Sequence, residues 1–249
     1  MNQDSKTIAI IAGVLVVLVA GGAYWFMRSG DSPSNATPKA VTATEAPIDK
    51  PAPAVNLPPL DQMDAYLRPL LQVLSARPEL VRWLATDDLI GQLAFAIDEA
   101  ASGGTPARNF KVVAPIKPFA VTGRGPRRTI DPKSYSRYDG LVLTVTSIDA
   151  SRVAQIYKTI KPRLNEAYQK HGHPNGNVDR AVQQALDILL ATPIVKDPIA
   201  LVEGDGARWA YAEPKLESLE ASQKQLLRMG GAHVDALLVW LRALQRGIS

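Results

Sequence analysis

The segment DASRVAQIYKTIKPRLNEAYQK, residues 149–170, carries the clearest structural pattern of the chain. Its apolar residues recur every three or four positions, which places them on one face of an α-helix. Asp149 precedes them and predicts the helix start, because a carboxylate accepts from the free N–H groups there. Pro162 lacks an N–H donor, so we expect it to interrupt the helix. The apolar face consists of Val153, Ile156, Tyr157, Ile160, Leu164 and Tyr168.

The same spacing continues toward the N-terminus and predicts further helices. The first lies around 60–74, where Pro69 is expected to cause a kink or a division into two short helices. The second begins at Pro78, since proline suits the first position of a helix. Thr86 is expected to cap the third, which ends at Ser102-Gly103-Gly104.

Residues 105–148 combine an irregular stretch with an ambiguous one. Proline and glycine punctuate 105–130, which is expected to be irregular or extended. Asp131-Pro132 is typical of a new helix start. The run LVLTVT, residues 141–146, has β-branched side chains that favour a strand. Its apolar residues nevertheless share one helical face with Tyr138 and Ile148, and we interpret the run as a helix.

Beyond residue 170 the pattern again favours helices. One is predicted over 178–190, and two more close the chain, separated at Gly230-Gly231. Short apolar runs at 199–202 and 208–211 flank a turn and predict a hairpin. The expected fold class is therefore mainly α, with one helical soluble domain over 57–249 that contains a minor β-hairpin.

An uncharged apolar segment, residues 7–27, lies between Lys6 and Arg28. About 20 apolar residues in a helix match the thickness of the hydrocarbon core of a bilayer. The alternative is a cleaved signal peptide, but its apolar region would be shorter than this run, which continues to Met27. Residues 1–27 are therefore predicted to be a retained N-terminal membrane anchor with a single transmembrane helix.

Residues 28–56 differ sharply in composition from the segments on either side. Five prolines alternate with alanine, serine and threonine, and no apolar periodicity remains. Such a stretch cannot bury enough surface to become ordered, so it is predicted to be a disordered linker. Basic residues near the apolar segment orient it only weakly. Because a short tail precedes a large domain, we expect the C-terminal domain to face the periplasm, with the anchor in a bacterial inner membrane.

The residues that usually carry catalysis are sparse. The chain has no cysteine, which excludes disulfides, thiolate zinc sites and cysteine nucleophiles. His171 and His173 lie one residue apart, but no further ligand follows at a recognised spacing. His233 is expected at the edge of a packed face, and adjacent carboxylates on a helix point in different directions. The sequence therefore predicts no catalytic, metal or cofactor-binding residue.

Positive charge is concentrated in residues 108–137, which hold eight Lys and Arg residues against Asp131 alone. Such a stretch can meet anionic lipid headgroups, acidic polymers or an acidic protein surface. The alternative is an exposed basic loop paired with carboxylates of neighbouring helices. Nucleic acid is disfavoured because the domain is expected to lie outside the cytoplasm. The candidate residues for an anionic partner are Arg124, Arg127, Arg128, Lys133 and Arg137.

Three motifs carry a resemblance to a known family. They are PELVRWLATDDLI at 78–90, LLATP at 189–193 and QKQLLRMG at 223–230. Together they resemble domain-of-unknown-function family 3014, which consists of membrane-tethered proteins of Gram-negative bacteria. Two turns depart from the family pattern, with Asn175 where an aspartate is typical and Gly231 where a proline is usual. The resemblance implies an envelope protein and carries no assigned activity, ligand or catalytic residue.

The expected function is that of a non-catalytic interaction or scaffold domain. The alternative is an enzyme that acts on, or a protein that binds, an anionic envelope component such as peptidoglycan or lipid headgroups. The membrane is the expected partner of residues 7–27. An envelope protein or anionic polymer is the expected partner of the basic segment, while the oligomeric state stays open.

The anchor prediction can be checked on the protein recovered from cells. We expect the intact mass to include residues 1–27, and the protein to stay with membranes during alkaline carbonate extraction, because an apolar span is held by hydrocarbon burial. A mature chain that begins after Ala20 or Gly22, or release by carbonate, would contradict it.

Overall fold

The structure, a computed structural model, describes residues 56–106, 110–196, 198–204 and 208–249. The predicted anchor at 7–27 and all but the last residue of the predicted linker lie outside these ranges. Within the part of the chain that the structure describes, no helix combines the length and the apolar character that a membrane crossing requires.

The described residues form nine α-helices and two antiparallel pairs of strands. The helices are α1 Met63–Gln72, α2 Pro78–Leu84, α3 Leu89–Ala101, α4 Asp139–Thr146, α5 Ala150–Lys170, α6 Val178–Leu190, α7 Pro214–Glu217, α8 Ala221–Leu227 and α9 Gly231–Ile248. The strands are β1 Val121–Thr122 with β2 Thr129–Ile130, and β3 Leu201–Gly204 with β4 Arg208–Tyr211. The prediction of a mainly α-helical fold with a minor β-hairpin is confirmed.

Helix α5 lies at the centre of the helical layer. It packs against α3 on one side and α9 on the other, and α6 packs against α3. The residues of its predicted apolar face are all buried, with Val153 and Leu164 fully inaccessible. A second, smaller core lies under the two strand pairs and is formed by Ile130, Ile199, Leu201, Tyr211, Leu216 and Leu227.

The predicted interruption at Pro162 and the predicted division at Pro69 are wrong. Helix α5 runs through Pro162, and α1 runs through Pro69. Both prolines are exposed. Each ring removes one backbone hydrogen bond, but on a solvent-facing side the freed carbonyl can turn to water. Neighbours on both sides of Pro162, such as Ile160 and Leu164, are buried and keep α5 packed against the core.

The predicted cap at Thr86 is also corrected. Helix α3 has Asp88 at its N-cap, in a left-handed conformation with φ of 55°, and the Asp88 side chain accepts from the Gly91 N–H. Asp64, on α1, accepts from the N–H groups of Asp88 and Leu89 at 2.7 Å each. Thr86 instead donates to the carbonyl of Trp83 at 2.7 Å. The start of α3 is therefore capped from a neighbouring helix.

The stretch predicted to be irregular contains the additional strand pair β1–β2. Each strand has only two residues, too few to show an alternating pattern. Strand β2 also joins the second pair, because Ile130 N donates to Ile199 O at 3.0 Å and Leu201 N to Arg128 O at 2.9 Å. The helix interpretation of 141–146 is confirmed, since Leu141, Val142 and Val145 turn into the core.

The first described residues are fixed to α5. Arg163 Nε donates to Pro58 O at 2.8 Å, and its Nη2 donates to Leu57 O at 3.1 Å. Glu166 holds the same guanidinium at 2.7 Å. The chain therefore enters the domain along the central helix.

The Asp64→Ala substitution tests the capping of α3 by α1. We expect the free energy of unfolding to fall by about 2 kcal/mol, because two N–H groups at a helix start lose a charged acceptor. Denaturant unfolding measures this change. Asp61→Ala is the matched control, because Asp61 is exposed one turn earlier and should change stability by less than about 0.5 kcal/mol. Equal effects of the two substitutions would contradict the capping role.

Candidate functional site

The basic segment, defined as residues 110–137, runs through β1, β2 and the 3₁₀ helix Pro132–Tyr138. Arg108, which belongs to the predicted charge cluster, lies outside the described residues. Five basic side chains of the segment are exposed: Lys111, Lys117, Arg124, Arg127 and Lys133. Arg128 and Arg137 are half-buried. The basic residues of the segment therefore divide into five exposed side chains and two half-buried ones, those of Arg128 and Arg137.

Ion pairing accounts for little of this charge. Among the described side chains, Arg128 alone of the basic segment lies within ion-pair distance of a carboxylate, that of Glu203 on β3. The alternative interpretation expected pairing with carboxylates on neighbouring helices, and no such pair is found in the described part of the chain. Most of the positive charge of the segment is therefore presented to solvent.

Arg128 joins the two strand pairs. Its guanidinium pairs with Glu203 and lies 5.1 Å from the centroid of the Trp209 ring. Glu203 and Trp209 are opposite each other in the register of β3 and β4. Arg128 therefore contributes to local structure, and its charge is largely neutralised.

Arg137 is held by the backbone of the basic segment. Its Nε donates to Ser134 O at 2.9 Å, its Nη1 to Lys117 O at 3.0 Å, and its Nη2 to the Tyr138 hydroxyl at 3.0 Å. Its guanidinium carbon lies 5.5 Å from the centroid of Phe119. Burial lowers the pKa of Arg137, and the positive charge of Arg228 lowers it further.

Arg228 is the functional candidate that sequence reasoning missed. It follows α8, and its guanidinium carbon lies 5.6 Å from the same Phe119 centroid. Its Nη2 donates to Trp209 O at 3.3 Å. A lone arginine in the motif QKQLLRMG gives no sign that it will meet a segment far away in sequence. We call Arg137, Phe119 and Arg228 the arginine–phenylalanine cluster.

A buried tyrosine connects this cluster to α8. Tyr138 is fully inaccessible, and its hydroxyl accepts from Gln225 Nε2 at 3.1 Å as well as from Arg137. Burial raises the pKa of Tyr138, while Arg137 opposes the rise. The hydroxyl therefore stays neutral near pH 7 and serves as a fixed polar junction.

The three histidines lie apart from the cluster and face different partners. His173 Nε2 is 2.8 Å from Asp98 Oδ1, and the ring stacks on Tyr168 with centroids 4.5 Å apart. His171 makes an edge contact with Phe95. His233 lies between Met229 O and Asp139 Oδ1, at 2.8 and 3.1 Å. Over the described ranges, no three His, Asp or Glu side chains form a group that could hold a metal ion.

The adjacent carboxylates also diverge. The Asp88 side chain caps α3, whereas that of Asp87 is fully exposed. Asp98 faces His173 across the loop that follows α5. The carboxylates of Asp87 and Asp88 therefore do not converge on a common point.

Fold and surface together define a mainly α-helical domain with two small antiparallel sheets and an exposed basic segment. The chain belongs to the family described as protein of unknown function (DUF3014), whose model matches residues 89–245. This match confirms the resemblance and includes the whole arginine–phenylalanine cluster. No curated protein and no solved structure matches the chain.

The turn after Arg228 offers a test of the packing beside the cluster. Gly230 has φ of 93°, and a Cβ there would lie 2.7 Å from the Tyr135 ring. Gly172 has φ of 114°, but no atom lies within 4 Å of its added Cβ. We expect Gly172→Ala to cost about 1 kcal/mol of unfolding free energy, from backbone strain alone. Gly230→Ala should cost about 2 kcal/mol more, because the methyl group also displaces the ring.

Thermal or denaturant unfolding of both variants provides the measurement. If Gly230→Ala were no more destabilising than Gly172→Ala, the ring of Tyr135 would not pack against the turn in solution.

Proposed function

We propose that this domain is a non-catalytic interaction module that binds an anionic partner in the bacterial envelope. The observation that carries the proposal is the set of five exposed basic side chains in the basic segment. Among the described residues, none of these five has a carboxylate partner within 4 Å.

Electrostatics explains why such a surface favours association. Unpaired like charges raise the local potential, which attracts anionic groups and accelerates encounter. Because the groups are exposed, their attraction to a partner is screened by salt. The binding that we propose is therefore strongest at low ionic strength and weakens as salt is added.

The predicted anchor and linker support an envelope location. A linker over 28–56 would span roughly 30 Å as a coil and about 90 Å if extended. In the proposed arrangement the anchor lies in the inner membrane, and the domain reaches partners in the periplasm. Lipid headgroups, the carboxylates of peptidoglycan and acidic protein surfaces are the anionic groups available there.

In-cell photocrosslinking of the full chain tests the proposal. A photoreactive residue at position 127 should capture a partner, whereas one at the exposed position 158, on α5, should not. The combined variant Arg124→Gln, Arg127→Gln, Lys133→Gln should bind the captured partner about tenfold more weakly, since each lost exposed charge contributes about 0.5 kcal/mol.

The matched control removes the same charge elsewhere. Arg152→Gln, Lys158→Gln and Arg180→Gln change three exposed residues of α5 and α6 and should leave binding unaltered. Equal loss of binding in both combined variants, or equal capture from positions 127 and 158, would show that the basic segment is not the binding surface. Turnover of the captured partner would overturn the non-catalytic role.

A further inference from the structure

Two guanidinium groups from distant parts of the chain meet at one phenyl ring. Arg137 ends the 3₁₀ helix Pro132–Tyr138, and Arg228 follows α8. Their guanidinium carbons lie 5.5 and 5.6 Å from the Phe119 centroid. Both cations therefore lie beside the same ring, and the positive charge of Arg228 is near enough to lower the pKa of Arg137.

In this neighbourhood, no carboxylate of the described residues is in direct contact with either cation. Neither Arg137 nor Arg228 is within 4 Å of a described Asp or Glu oxygen. Glu217 acts on Arg228 through space, but its oxygens accept from Lys224 Nζ at 3.0 Å and from Tyr211 N at 2.8 Å. Half-buried like charges without a counterion are costly, because burial removes the water that would screen them.

Both arginines retain donors for a ligand. A guanidinium carries five N–H groups, and the contacts to Ser134, Lys117 and Tyr138 use three of those on Arg137. Arg228 donates through Nη2 to the Trp209 carbonyl. The fixed contacts to backbone hold the two cations in position before any ligand arrives, which lowers the entropy cost of binding.

We propose that Arg137 and Arg228 form a binding site for a phosphate-type oxyanion, with the ring of Phe119 as its wall. A phosphate group offers several oxygens that point in different directions, so it can accept from guanidiniums on separate elements. A planar carboxylate matches one guanidinium fork best. The site deepens the proposed function and rests on it for the physiological partner, whose phosphate group it would recognise.

The competing explanation is that both arginines serve only to hold Phe119 through cation–π contacts. That role predicts a loss of stability on substitution, and no response to phosphate in any form of the protein. The two explanations are therefore separated by the effect of phosphate on stability, and not by stability alone.

The experiment uses the full chain in detergent micelles, with inorganic phosphate as the probe and chloride at equal ionic strength as the reference. We expect phosphate to raise the unfolding temperature of the unmodified protein, because a ligand that binds only the folded state stabilises it. Arg228→Gln should abolish the rise. Arg228→Lys keeps the charge but loses the fork, and should weaken phosphate binding at least about tenfold.

Arg82→Gln is the matched control, since it removes a basic residue from α2, outside the basic segment and α8, and should keep the full response. A phosphate response that survives in Arg228→Gln, or a chloride response equal to that of phosphate, would overturn the site. If Arg228→Gln does not fold, Arg228→Lys decides the outcome by the same criterion.

Two further arms locate the phosphate source and separate this site from the proposed function. In nanodiscs of phosphatidylglycerol, loss of the phosphate response relative to micelles of a detergent that contains no phosphate would identify the lipid headgroup as the ligand. An equal response in both would identify a soluble phosphate.

The combined variant at Arg124, Arg127 and Lys133 should keep the phosphate response while losing the crosslinked partner. Loss of partner capture with an intact phosphate response in the combined variant thus reports on the basic segment. Arg228→Gln should lose the phosphate response and also capture the partner more weakly, because the site would recognise the phosphate group of that partner.

Discussion

Burial of one apolar stripe along α5 determines the arrangement of the other helices. Val153, Ile160 and Leu164 are almost inaccessible, and they can be covered only if α3 and α9 lie on either side. Each such side chain contributes roughly 2 kcal/mol when it leaves water. The connections before and after α5 follow from this constraint. Helix α4 must bring the chain to the start of α5, and α6 must return along α3. The small strand pairs pack over the second core, to which α7 contributes Leu216 and α8 contributes Leu227.

Polar contacts as well as apolar ones join α8 to the helical layer. Gln225 on α8 donates to the Tyr138 hydroxyl, which also accepts a hydrogen bond from Arg137 of the basic segment. Gln223 of the same helix donates to Ile188 O at 2.9 Å on α6. Buried polar groups are expensive unless satisfied, so these bonds specify one relative position of α8. The two glutamines of the motif QKQLLRMG thus fix α8 to its neighbours, while its arginine, Arg228, is half-buried.

Spacing of apolar residues was sufficient to predict most helices, but it could not show which carbonyls meet water. Pro162 lies off the apolar stripe, between Ile160 and Leu164, and that position already hinted that the helix would tolerate it. The cap of α3 was missed because Asp64 comes from another helix, and such contacts leave no local trace in the sequence. The same reason hid Arg228, whose meeting with Arg137 depends on the placement of α8. The charge pattern showed where basic residues concentrate, but it could not show that Arg128 and Arg137 would be half-buried, because the groups they contact lie elsewhere in the sequence.

The attachment of Leu57 and Pro58 to Arg163 has a mechanical consequence. Tension that arrives through residue 56 is delivered to the middle of the central helix, at hydrogen bonds of 2.8 and 3.1 Å. The load then reaches α5, whose apolar face is buried, before it reaches α1. A domain pulled from its N-terminal side would thus resist extension first at its central helix.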